Sequence, residues 1–159
     1  MKGHRGGAPV GYLEELSIVE AMAVSSLRMW LSGQETREAL EADFGSFLPG
    51  DEADDALRAL AVVCDLIARN GRRPMMRHGI ECKCLGGDEA VFANLVAASA
   101  ANEHADAAAF GVLLVKPDFA APLTHHAGNF GRALMRANGM PTPSRISISP
   151  TNVTPTTLH

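Results

Sequence analysis

Three side chains within seven positions have the chemistry of a metal site. His78, Cys82 and Cys84 lie in the segment Arg77-His78-Gly79-Ile80-Glu81-Cys82-Lys83-Cys84. Imidazole and thiolate are the favoured ligands of zinc, and a glycine-punctuated loop can wrap them around one ion. Three ligands would be local, and a fourth would come from elsewhere, with His126 the preferred donor ahead of Cys64, Glu81 or Asp88. Zinc is therefore the cofactor this segment suggests. A repeated CxxC pair would be far more specific than one CxC and one histidine. The same residues also fit a packed loop in which both cysteines are small fillers and His78 is hydrogen-bonded nearby. A third reading uses a cysteine as a nucleophile or redox group, because Arg72, Arg73, Arg77 and Lys83 would lower a neighbouring thiol pKa.

The arginines are the second feature. Arg69, Arg72, Arg73 and Arg77 crowd the same stretch, and guanidinium forks suit carboxylate or phosphate. From Asp65 to Lys83 five basic residues face two acids, a balance of +3. From Glu35 to Arg58 eight acids face Arg37 and Arg58, a balance of −6. Arginines paired with these acids, in the same chain or a second copy, are the plain expectation; an anion site is the sharper one. No phosphate-cradling GxxxxGK[ST] loop occurs, and Asp88 and Glu89 would repel an anion from the helix that begins there.

Other reactive types are more ordinary. Cys64 falls on the inner stripe of a helix, where a small apolar residue belongs. His125 and His126 are adjacent on a helix and point about 100° apart, so they do not chelate together easily. His126 lies on the apolar stripe, and His104 sits in a turn. Glu20, near an inner stripe, would need a partner such as Arg28 or a loop arginine. Neither G-x-S-x-G nor H-E-x-x-H is present, and no paired carboxylate–histidine pattern supports a di-iron bundle.

The elements that must hold these groups read as helices. Leu16, Val19, Ala23, Leu27 and Trp30 step by three or four, so a helix is expected over 12–31, ended by Ser32-Gly33. A second is expected over 34–47, inner face Leu40, Phe44 and Phe47, broken by Pro49-Gly50. Asp51-Glu52 opens a third, with Leu57, Leu60, Cys64 and Ile67 inside and Asn70-Gly71 at its end. Residues 71–87 have no helical period. They read as an ordered Cys/His/Arg loop with a short extended piece at 80–84. Asp88 caps a fourth helix through Val91, Phe92, Leu95, Val96 and Ser99. A short fifth runs from Asp106 to Val115, and a sixth from Asp118 to Asn138, with Pro122 in its first turn.

The expected fold class is therefore all-α: about six helices in an antiparallel, bundle-like single domain over 12–139. Residues 1–11 read as a flexible arm and 140–159 as a Pro/Ser/Thr-rich tail. The 159 residues suit one domain, and 47% hydrophobic content allows a real core. The N-terminal segment lacks an apolar signal core, and no apolar run approaches the ~20 residues of a membrane span. A cytoplasmic protein with reduced thiols follows. Net charge −4, and Asp51, Glu52, Asp54 and Asp55 at the head of the third helix, argue against nucleic acid. With no catalytic constellation, the leading expectation is a regulatory protein that acts by association, as a homodimer. Zinc binding and a reactive cysteine are the alternatives.

Overall fold

The computed structural model describes residues 5–143, with Arg5 described by its backbone alone. Among them six α-helices pack on one another: α1 (Ile18–Leu31), α2 (Gln34–Phe47), α3 (Gly50–Asn70), α4 (Gly87–Ala100), α5 (His104–Leu114) and α6 (Ala120–Ala137). Two short strands, β1 (Pro9–Tyr12) and β2 (Cys84–Gly86), form an antiparallel pair. The fold class is all-α in one domain. No helix among the described residues is long and apolar enough to cross a membrane.

Local signals set most boundaries. Gly33 takes φ 131°, a conformation open to glycine alone, and separates α1 from α2. Across that turn the Thr36 hydroxyl donates to Met29 O at 2.7 Å, and Arg37 Nε donates to Trp30 O at 2.6 Å. The α3 helix carries Asp51 and Glu52 in its first turn and Arg69 in its last, complementing the helix dipole. Its inner stripe is Ala56, Leu60, Val63, Cys64 and Ile67.

The α4 helix occupies the middle. Its residues Phe92, Ala93, Leu95, Val96 and Ala98 are buried around most of its circumference, with Asn94 left exposed, as suits a largely apolar helix. It packs against α1, α5 and α6, while α3 lies on α6. The α4–α6 approach is close because α6 presents glycines. A Cβ at Gly131 would stand 2.7 Å from Ala100 Cβ and 2.8 Å from Val96 O. One at Gly128 would meet Ser99 O at 3.0 Å.

Three expectations need correction. Residues 5–11 are not a loose arm: Arg5–Gly7 forms a 3-10 turn and Pro9–Tyr12 a strand, with Tyr12 opposite Cys84 and Pro9 opposite Gly86. The partner strand is some seventy residues away, so no hairpin turn announces it in the sequence. The first helix starts at Ile18 rather than Tyr12, because the Ser17 hydroxyl caps it by accepting from the Glu20 N–H at 3.3 Å. The fourth helix is capped by Gly86, with Asp88 inside its first turn and committed elsewhere. Smaller shifts occur at α5, which begins at His104, and α6, which follows a 3-10 turn at Pro117–Phe119. The proposed tail lies outside the described residues beyond 143.

The glycine contact yields a paired test. Gly131→Ala is expected to lower unfolding free energy by about 1–2 kcal/mol net, because overpacking against Val96 O and Ala100 Cβ, which cannot swing aside, costs about 2–3 kcal/mol against the ~1 kcal/mol alanine gains in a helix. Gly45→Ala on α2, where nothing lies within 4 Å of the added Cβ, should instead raise it by about 0.5–1 kcal/mol. Urea unfolding of both reads the difference; a Gly131→Ala protein as stable as the parent would contradict the close α4–α6 approach.

Candidate functional site

The loop between α3 and α4 is fixed by two acids at the head of α4. Glu89 is fully buried and meets the equally buried Arg28 of α1. Arg28 Nε donates to Glu89 Oε1 at 2.7 Å and Nη2 to Oε2 at 2.9 Å, a two-pronged pair. The remaining valences reach the loop backbone. Arg28 Nη1 donates to Cys82 O at 2.6 Å, and Nη2 to Cys84 O at 2.7 Å. Glu89 accepts from the His78 N–H at 3.0 Å and from the Gly86 N–H at 2.9 Å.

Asp88 repeats the pattern nearer the surface. Its carboxylate takes Arg73 Nη1 at 2.8 Å and Nη2 at 2.6 Å, and accepts from the Met76 N–H at 2.8 Å. Gly6 packs so tightly on this carboxylate that any Cβ there would collide with it. The N-terminal strand, the loop and α4 thus close around one pair of adjacent acids.

Charge balance explains why burial is tolerated. Desolvation pushes the Glu89 carboxyl upward, but the Arg28 hydrogen bond and the Gly86 and His78 N–H groups outweigh it, leaving the pKa below the ordinary carboxylate range. The hydrogen bond to Glu89 likewise holds the Arg28 guanidinium above its usual value against desolvation.

The sequence-predicted site residues are placed as follows. His78, Cys82 and Cys84 share the knot, but through their backbones. The His78 ring lies over Gly86, where a Cβ would come within 3.1 Å of its Nε2; that nitrogen is buried with no hydrogen-bond partner among the described residues. Among the described residues no three His, Cys, Asp or Glu side chains are grouped to hold a metal ion, this trio included. His126 sits on α6, in a groove against Asp55 and Arg58 of α3, with its pKa lowered by desolvation and by His125. The expected thiol activation is reversed at Cys84: the hydrogen bond with Cys82 and that neighbour's charge raise its pKa, outweighing Arg28. Burial pushes Cys64 up to about 12, as a core cysteine should be.

The four arginines do not meet the acids of 35–55. Arg69 pairs with Asp65 at 2.7 Å, Arg73 with Asp88, and Arg77 Nη2 donates to Leu31 O at 3.1 Å. Arg72 is exposed and has neither hydrogen bond nor ion pair among the described residues. Glu20 is not the partner of Arg28. The Arg28–Glu89 pair was missed, although each residue falls on an apolar helix face, Arg28 four after Val24 and Glu89 three before Phe92.

Beside the knot, α1, α3 and the loop enclose a cleft of about 530 Å³. Leu27, Cys64 and Ile67 form its floor, Met75 one wall, and Arg72 and Arg73 part of its rim. Fold and site together define a class: an all-α domain carrying a rigid, ion-paired loop beside an apolar cleft. No family model, curated protein or solved structure matches the chain.

Two tests follow from the knot. Arg28→Met or Glu89→Leu should each cost about 3–5 kcal/mol, since each strands a buried charge. The double variant is expected to recover little, because Cys82 O, Cys84 O and the N–H groups of His78 and Gly86 stay unpartnered. Recovery to wild-type stability in a thermal melt would sink that account. The second test is acid. A carboxyl whose pKa is lower folded than unfolded adds stability above its unfolded pKa, and this is lost as pH falls through the folded value. The stability gap between wild type and Glu89→Gln should therefore hold at neutral pH and narrow below about pH 4.3, the ordinary glutamate value. A gap that widens on acidification would have the wrong sign.

Proposed function

We propose that the protein acts by association with itself, as a regulatory homo-oligomer in a reducing compartment such as the cytoplasm. One observation carries this reading: the acidic and basic blocks of the chain are not spent on each other. The ion pairs of the knot and of α3 are local, and Arg136 takes Glu52 at 3.2 Å. Glu41, Asp43, Asp51 and Asp54 stay exposed and unpaired among the described residues, on the second half of α2 and the head of α3. Arg69 lies near the other end of α3, about 27 Å from Asp51 at 1.5 Å per residue, with Arg77 in the loop beyond it.

Two copies related by a two-fold axis would set each acidic end against the partner's basic end, twice over. Exposed apolar residues accompany both ends: Phe47, 59% exposed, at the acidic one, and Ile80, 43% exposed, in the basic loop. Charge would set orientation and rate, and these side chains would add area. Nucleic acid is disfavoured as the partner because Asp51, Asp54 and Asp55 face outward at the head of α3.

Sedimentation velocity over a range of concentrations checks the reading. Association should weaken at high salt and be lost in Glu41→Lys/Asp43→Lys. It should return in part when Arg69→Glu/Arg77→Glu protein is mixed with that variant. A monomer at every concentration in low salt would end the proposal.

A further inference from the structure

We infer that the cleft between α1, α3 and the loop is a binding site for an amphiphilic monocarboxylate: one carboxylate head on an apolar body. The volume, about 530 Å³, lies within the range of roughly 300–1,000 Å³ typical of small-molecule sites. The floor is apolar, with Leu27 fully buried and Ile67 only 5% exposed. Cys64 contributes a thiol that stays neutral, since burial holds its pKa near about 12. Among the described residues no acid lines this cleft.

The rim supplies the sign and number of charges. Arg73 is neutralised by the two-pronged contact with Asp88. Arg72 has no partner among the described residues, so the mouth carries one uncompensated positive charge. A single guanidinium fork matches a single carboxylate in shape and charge. An apolar body alone would leave that cation idle, and a dianion would leave one charge unmet at the edge of an apolar cleft.

The site is preformed. Its loop wall runs from Gly71 to Met75, and the next residue, Met76, is bonded through its N–H to Asp88. At the other end the Gly71–Val115 bridge and the Lys116 N–H to Asn70 O contact, 3.0 Å, tie the loop to the end of α5. Little ordering is left for a ligand to impose, which favours affinity.

Decanoate is the probe, with decanol and acetate as its tail-only and head-only counterparts. In calorimetry and amide-shift titrations of the full chain, decanoate should bind with shifts at Leu27, Ile67 and Met75. Decanol and acetate should each bind more weakly by roughly tenfold or more. Arg72→Glu should weaken decanoate by a similar factor, and Arg72→Lys by less, since lysine keeps the charge and loses the fork. Ala68→Trp, which places a ring at the cleft wall, should abolish binding with an unchanged melt. Glu41→Lys/Asp43→Lys, outside the cleft, should bind decanoate as wild type does, whatever its oligomeric state. Equal binding of decanol and decanoate, or binding that survives Ala68→Trp, overturns the assignment. So does absence of decanoate binding, including the case where Ala68→Trp alters only self-association because a second copy's side chain fills the cleft.

Discussion

The structure depends on one buried ion pair. Arg28 and Glu89 are sixty-one residues apart and wholly excluded from solvent. Alone, such a pair would be a poor source of stability, because desolvating two charges costs about what their attraction returns. Here the pair also satisfies four backbone groups of the loop. A segment that lies mostly outside helix and sheet must find partners for its N–H and C=O groups or leave them in water. Many side chains from 72 to 83 are exposed, and it is the backbone turned inward, toward the buried Arg28 and Glu89, that these two residues satisfy. The charged pair supplies what secondary structure would otherwise supply.

That arrangement dictates features at some distance. Arg28 can face Glu89 only if α1 and the head of α4 lie side by side, and α4 is in contact with α1. The other end of α4 is set by α6, whose Gly128 and Gly131 admit Ser99, Ala100 and Val96 at backbone distance. The helix is thus located at its head by charge and at its tail by shape. Its extensive burial follows, and the buried positions between its two acids and Ser99 are filled by alanine, valine, leucine and one phenylalanine.

Legibility in the sequence follows the range of the interactions. The α2 helix begins and ends where expected, because Gly33, Leu48 and Pro49 act within a residue or two of its ends. The α3 helix is displaced by a single residue for the same reason. The β1–β2 pairing was not legible, since Val10 and Tyr12 give too short an alternation and the partner strand is remote. The start of α1 was legible but overlooked: Ser17-Ile18-Val19-Glu20 spells a capping box. The site is the most instructive case. His78, Cys82 and Cys84 were singled out by side-chain chemistry, yet it is the N–H of the first and the carbonyls of the other two that make the contacts. Backbone groups have no residue type, so motif reading cannot see them.

Rigidity here concerns the placement of charge as much as stability. Arg73 is neutralised by Asp88, while Arg72, one residue earlier, has no partner among the described residues at the mouth of an apolar cleft. On a slack loop both arginines would sample many partners, and neither would define a direction. With Arg73 and Met76 anchored on one carboxylate, the backbone that carries the neighbouring cation is fixed beside the cleft that Leu27 and Ile67 line. The acids that repel an anion from the head of α4 therefore help to create a place for one a few residues upstream. They consume one guanidinium and fix the frame from which the other projects.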